Sequence, residues 1–275
     1  MRSFDPRSDR MTSTLIDWTA LHAPTVASLL LLLGVLAGDL AWQRSARLKV
    51  AAMAGGRHAG VMRWRTGVLL MVAGTVVFAS LAFAVALGDP GTMAGIDTAL
   101  AQELHERASP TLLQALATFT DLASQPWIVG GSLLVLFVLL LRGEWWLSLV
   151  WSVAQIGILP LSLGIKSLVE RPRPLHSHGF VVEQGWSFPS GHAVSSIVFY
   201  GMLAYVLLRI VPSRWHRAII AVTVALVGSI GISRILLQVH YLSDVMAGFA
   251  LGLAWLVLCM ACADWLRLRS LTKLR

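Results

Sequence analysis

Seven times along its 275 residues the sequence runs into a stretch long and apolar enough to cross a lipid bilayer. A bilayer core takes about 20 predominantly apolar residues per helix, and the candidates are residues 24–42, 68–88, 126–141, 145–166, 191–211, 217–236 and 241–264. Charged residues make up 13% of the chain, against roughly 25% in an average soluble domain. The expected fold class is therefore an all-α polytopic membrane protein. The third candidate is short, and the fourth begins directly after Arg142, Gly143 and Glu144, which predicts a tight helical hairpin. The first candidate starts late, lacks a basic segment before it and is followed by one, so it reads as a helix that stays and not as a cleaved signal.

The formal net charge of +8 raises nucleic acid as a partner. The cations instead flank apolar segments and interleave with no aromatic ladder, so no nucleic acid is expected and the charge reads as orientation. Residues 43–66 carry Arg44, Arg47, Lys49, Arg57, Arg63 and Arg65 without an acid, which marks them as cytoplasmic. Residues 89–125 carry Asp89, Asp97, Glu103, Glu106 and Asp121 against Arg107, and belong outside. The connection with Arg209, Arg214 and Arg217 and the tail with Arg267, Arg269, Lys273 and Arg275 then fall inside. Seven helices alternate without conflict, with the N-terminus outside. Within 101–124, Leu104, Leu112, Leu116 and Phe119 recur at helical spacing between polar breaks, predicting short amphipathic helices at the outer interface. Cys259 and Cys262 lie in an apolar run and read as small buried hydrophobes, neither a disulfide framework nor a metal site.

Two outer connections break the charge pattern. Residues 167–190 hold Arg171, Arg173, His176 and His178, and residues 233–244 hold Arg234, His240 and Asp244. Three clusters result: Lys166 with Arg173 and Pro174; Pro189, Ser190, Gly191 and His192; and Ser233, Arg234, His240 and Asp244. The topology puts all three at one membrane face.

The residue types suit an oxyanion. Lys166, Arg173 and Arg234 outnumber the nearby acids Glu170 and Asp244, and arginine offers a planar fork that matches phosphate. Ser190 reads as a helix N-cap, so the amides of Gly191 and His192 would point outward with the positive end of the helix dipole. Gly191 would let an anion approach the backbone closely. His240 and Asp244 are four apart, which on a helix lets the carboxylate hold one imidazole nitrogen and leave the other as a lone pair. His192 has no carboxylate near it in sequence and is free to donate a proton.

Taken singly, each piece has a plainer reading. The cations are snorkelling anchors, Pro-Ser-Gly starts a helix, and His240 with Asp244 ties down the last helix. Jointly these do not explain three cations, two histidines and a carboxylate at the face where basic residues are disfavoured. His176 and His178 read as loop residues outside the chemistry.

On the segments KSLVERPRP, PSGH and SRILLQVHYLSD, the sequence resembles the type-2 phosphatidic acid phosphatase family, the membrane lipid phosphate phosphatases related to vanadium haloperoxidases. The resemblance covers roughly residues 68–264. It implies a six-helix phosphatase core over 68–264; residues 1–67, with one extra transmembrane helix and a basic cytoplasmic loop, depart from the family pattern, and residues 265–275 read as a basic cytoplasmic tail. The resemblance also implies that His240 is the nucleophile, Asp244 its orienting partner and His192 the acid that protonates the leaving group. Lys166, Arg173, Ser190, Gly191 and Arg234 match the positions that hold phosphate oxygens. No cofactor and no metal are expected, because the cations supply the charge.

Uncatalysed phosphate monoester hydrolysis needs accelerations up to ~10²¹, which a nucleophile, an acid and a cationic cradle together address. The expected function is hydrolysis of a terminal phosphate from a lipid phosphate or polyprenyl diphosphate in the bilayer. Phosphatidic acid, phosphatidylglycerol phosphate, undecaprenyl diphosphate and lipid A phosphates fit equally, at a periplasmic site on a bacterial inner membrane. A phosphotransferase using the same histidine is the runner-up. A non-catalytic lipid-phosphate binder or transporter would be marked by a lost catalytic residue or by charges at the bilayer midplane, where only scattered polar residues such as Gln155 occur.

Overall fold

The computed structural model describes residues 14, 16–19, 21–54, 64–88, 93–107, 109–175 and 179–272. All regular structure among them is helical. Among the described residues nine α-helices follow in order: α1 (Ala23–Ala54), α2 (Trp64–Ala86), α3 (Met93–Arg107), α4 (Pro110–Thr120), α5 (Gln125–Leu141), α6 (Trp145–Val169), α7 (Gly191–Ile210), α8 (His216–Leu236) and α9 (Leu242–Thr272). Among the described residues seven segments are long and apolar enough to span a bilayer, the third running from Pro110 to Leu141. The expected hairpin is present: α5 ends at Leu141, Gly143 turns the chain at φ 70°, and α6 starts at Trp145.

Two helices outrun their expected ends. α1 continues to Ala54, through what was expected to be a loop from residue 43, and α9 continues to Thr272, through the expected tail from 265. Ala, Leu, Arg and Lys dominate both extensions, and these residues favour helix without help from packing. Arg57, Arg63, Asp89, His176, His178, Lys273 and Arg275 lie outside the described residues.

α7 and α9 form the centre. A Cβ on Gly252 would stand 2.0 Å from Ile197 Cγ2, and one on Gly248 would stand 2.8 Å from the Ser190 carbonyl. Absent side chains thus let α9 press against the first turns of α7, and in a membrane such close approach is the main source of helix–helix attraction. Trp151, Met202 and Tyr205 fill the layer beside them. Two indoles on the packed faces are satisfied: Trp151 donates to the Ser132 carbonyl at 3.1 Å and Trp255 to the Ala154 carbonyl at 2.9 Å.

α1 lies along α8. Gly34 faces Val224, Gly38 faces Ile220, and Arg217 donates to both oxygens of Asp39 at 2.6 and 2.7 Å. Its outer leucines, Leu29, Leu33 and Leu36 among them, are exposed, as a lipid-facing surface requires. Cys259 is buried as expected, whereas Cys262 is exposed.

The short amphipathic helices cap one end of the bundle. Ser109 accepts from the Leu112 amide at 3.3 Å and Pro110 occupies the first turn of α4, which starts the helix there. Leu113 packs on Leu237 and Val239, and Leu100 and Leu104 pack on Ile235, Leu236 and Leu242. α3 and α4 therefore roof the turn between α8 and α9, and that turn carries His240.

Candidate active site

Four helix ends meet under this roof: the C-terminal ends of α6 and α8 and the N-terminal ends of α7 and α9. Ser190 caps α7, its Oγ accepting from the Ala193 amide at 3.4 Å, and its own amide donates to the Asp244 carbonyl at 3.0 Å. A Cβ on Gly191 would meet nothing within 4 Å, so open space adjoins the first amides of α7. That combination suits an anion at a helix N-terminus.

His240 does not share a helix with Asp244, as the four-residue spacing suggested. It lies in the turn 237–241, where Gln238 reverses the chain at φ 57°, and Asp244 sits in the first turn of α9. The pair still meets, with His240 Nδ1 3.5 Å from Asp244 Oδ2 and 3.4 Å from Ser187 Oγ. On the other side of the ring, Nε2 is 3.2 Å from Arg173 Nη1. A guanidinium can only donate, so Nε2 carries the lone pair and the neutral ring holds its proton on Nδ1. Burial pushes the His240 pKa down to about 4, against the opposing pull of Asp244 and with help from Arg173 and Arg234. The imidazole is neutral at pH 7.

Asp244 is fully buried and heavily bonded. Oδ2 accepts from the Ser187 hydroxyl and from the Tyr241 amide at 2.9 Å, while Oδ1 accepts from Arg171 Nη1 at 2.6 Å. Carboxylates that accept several donors stay ionised and stay put.

The cations are placed as a cradle, already partly engaged. Arg234 has no exposed side-chain surface, donates through Nη1 to Thr120 at 3.3 Å and through Nη2 to Glu183, and leaves its buried Nε without a partner. Arg173 donates to the carbonyls of Val239, Gly185 and Gln184 at 2.8, 3.0 and 3.2 Å. Lys166 donates to the Trp186 carbonyl at 2.7 Å. The loop 184–186 thus takes up hydrogen bonds from two of the three cations and leaves their charge in place.

Glu183 corrects one expectation. His192 has a carboxylate beside it after all, Nδ1 lying 3.6 Å from Glu183 Oε1, nine residues upstream in a loop that folds back over the helix end. The same carboxylate pairs with Arg234 and lies 3.8 Å from Arg173. Burial would raise its pKa, yet Arg234, His192 and Arg173 together hold it below the usual carboxylate range. It occupies the middle of the cationic cluster.

All eight candidate residues, Lys166, Arg173, Ser190, Gly191, His192, Arg234, His240 and Asp244, fall in this one region. Glu183, Ser187 and Ser243 were not singled out from the sequence, and Arg171 and Asp97 were read only as charges of the outer connections. Arg171 lies inside KSLVERPRP, and Ser187 lies three residues before Ser190. Asp97 and Ser243 meet across 146 residues, a pairing that no local pattern announces.

The helical bundle and this end-on cluster of histidines and cations define a polytopic membrane protein with a cationic cluster at one end. The chain belongs to the PAP2 superfamily, whose family model matches residues 145–268. It is 30% identical over 172 residues to phosphatidylglycerophosphatase B of Bacillus subtilis (strain 168), a match spanning 56% of this chain and 84% of that one. It also superposes on the crystal structure of the first transmembrane PAP2 type phosphatidylglycerolphosphate phosphatase from Bacillus subtilis, with a TM-score of 0.63 and 26% identity. That superposition covers 70% of this chain and 94% of the other.

Proposed function

We propose that the protein is a lipid phosphate phosphatase working through a phosphohistidine, with phosphatidylglycerol phosphate the first substrate class to test. The observation that carries this reading is the state of His240: neutral, its proton directed at Asp244 and Ser187, and its Nε2 lone pair aimed into the cationic cluster. Membership of the PAP2 superfamily and the likeness to the Bacillus subtilis enzyme support the substrate class.

In the first step the substrate phosphate displaces the Glu183 carboxylate from Arg234 and Arg173. His240 Nε2 attacks phosphorus, an N–P bond forms, and the P–O bond to the lipid breaks. The departing alkoxide takes the proton that His192 carries. Asp244 balances the charge that the imidazole gains, while Arg234, Arg173, Lys166 and the amides of Gly191 and His192 hold the oxygens of the transition state. In the second step His192 takes a proton from water, the water oxygen attacks phosphorus, and the N–P bond breaks to release inorganic phosphate.

The site opens at the outer membrane face by the charge asymmetry of the loops, and we place the chain in a bacterial inner membrane with a periplasmic site. Residues 68–264 form the catalytic core in this reading, with α1 as an added transmembrane support. Undecaprenyl diphosphate and phosphatidic acid remain within the same chemistry.

The test is phosphate release by detergent-purified protein, in excess EDTA, from phosphatidylglycerol phosphate, phosphatidic acid and undecaprenyl diphosphate, with His240→Ala alongside. Release that survives chelation and is lost in the variant supports the reading. Absence of release from every substrate contradicts it.

A further inference from the structure

Behind the His240–Asp244 pair lies a second buried cluster, formed by Asp97, Arg171 and Ser243, to which the proposed chemistry gives no role. Arg171 stands between two carboxylates, Nη1 at 2.6 Å from Asp244 Oδ1 and Nη2 at 2.8 Å from Asp97 Oδ2. Both carboxylate side chains have no exposed surface, and Arg171 has 9%. Ser243 closes the ring: its amide donates to Asp97 Oδ1 at 3.1 Å, its hydroxyl donates to Asp97 Oδ2, and Arg171 Nη1 donates to its Oγ at 2.8 Å. The guanidinium also lies 4.1 Å from the centre of the Tyr241 ring, next to His240 in the chain.

Asp97 comes from α3, which roofs the site, whereas Arg171 follows α6 and Ser243 and Asp244 begin α9. The cluster therefore joins three elements at the point where Asp244 leaves α9. A single guanidinium shared by two buried carboxylates is sensitive to the loss of either, since the remaining groups must find new partners without water. Asp97 fixes where Nη2 points; because the guanidinium is planar and rigid, it also fixes where Nη1 meets Asp244.

We infer that Asp97 and Arg171 are positioning residues: with Ser243 they hold the Asp244 carboxylate against His240, and so tie the outer helix α3 to the rate of the chemical step. This rests on the proposed role of His240. Neither residue reaches the cationic cluster, so their loss acts on the chemical step and leaves anion binding in place. A shift of the nucleophile by about 1 Å is worth up to about a hundredfold in rate, which sets the scale of the effect.

The experiment measures kcat and KM for phosphatidylglycerol phosphate, and the inhibition constant of inorganic phosphate, in Asp97→Asn, Ser243→Ala and Asp97→Asn combined with Asp244→Asn. The expected result is a fall in kcat of about tenfold to a hundredfold in Asp97→Asn, with KM and the phosphate constant within about twofold. A smaller fall is expected in Ser243→Ala, and no further fall when Asp97→Asn is added to Asp244→Asn, because residues acting through one partner are not additive. Unchanged kcat, a parallel loss of phosphate binding, or additive losses would overturn the inference. Ser243→Ala removes one hydroxyl and keeps both carboxylates, so it decides the matter if Asp97→Asn does not fold. The His240 Nδ1 proton, assigned by NMR through its loss in His240→Ala, gives a readout independent of turnover: it shifts in Asp97→Asn and Ser243→Ala if the inference holds and stays in place if it does not. Wild-type protein that releases no phosphate would contradict the proposed function alone, and this resonance would still decide the role of Asp97.

Discussion

Glu183 and Arg234 form an ion pair at the centre of the cationic cluster, where the guanidinium side chain has no exposed surface and the carboxylate keeps 24% of its own. A buried arginine without a counter-ion is costly, and Glu183 supplies that counter-ion from a loop. A substrate phosphate that binds Arg234 must take its place.

Replacing Glu183 by Gln should therefore strengthen anion binding. The variant removes a competing carboxylate and one negative charge from the neighbourhood of Arg234, Arg173 and His192. The inhibition constant of inorganic phosphate should fall several-fold, by about one power of ten for each ~1.4 kcal/mol of competition removed. An unchanged or raised constant, from inhibition kinetics, would mean that Glu183 does not contend for the anion site.

His192 gives a prediction that depends on the leaving group. If it protonates the departing alkoxide, His192→Gln should lower the single-turnover rate of lipid release from a lipid phosphate by about 10²–10⁴. The loss should be much smaller for p-nitrophenyl phosphate, whose leaving group needs no proton. Equal losses in this first step on both substrates would contradict the acid role of His192.

His240 sets the acid limit of the folded site. Its folded pKa, about 4, lies below the ordinary 6.5 because the ring is buried, so the unfolded chain binds the extra proton first. Stability contributed by the neutral ring is present above pH 6.5 and is lost as pH falls towards 4. The imidazole resonance absent from His240→Ala should titrate with a midpoint near 4, and thermal stability should decline over the same window. A midpoint at 6 or above would contradict the buried, neutral ring.

The contact between α7 and α9 should tolerate no added bulk. Gly252→Val would force a branched side chain onto Ile197 and the Val194 carbonyl, and overpacking of this kind typically costs about 1–3 kcal/mol. Because α7 starts at the Ser190 cap and α9 carries Asp244, activity should fall more steeply than thermal stability in detergent. Retention of both would show that the two helices have room to separate.

The sequence announced the membrane helices through length and hydropathy, and it announced Lys166, Arg173, the Ser190 cap, His192, Arg234, His240 and Asp244 through three short segments with fixed internal spacing. What it did not announce arises from long-range contact. Asp97 read as one acid among several on an outer segment, and its burial against Arg171 and Ser243 depends on where α3 lies across the bundle end. Glu183 sits in a loop without periodicity, and its place among the cations depends on how that loop folds back. Helix ends were missed at 54 and 272 for the opposite reason: hydropathy stops at the membrane surface, whereas helix propensity does not.

The nucleophile is the centre of the account, and trapping it is the most direct test. Protein mixed with a lipid phosphate labelled in its terminal phosphate and quenched in alkaline denaturant should carry label that is stable to base and labile to acid, mapped to the peptide holding His240. His240→Ala should carry none and should release no phosphate. Label on another residue, or phosphate release by His240→Ala at the wild-type rate, would contradict the account.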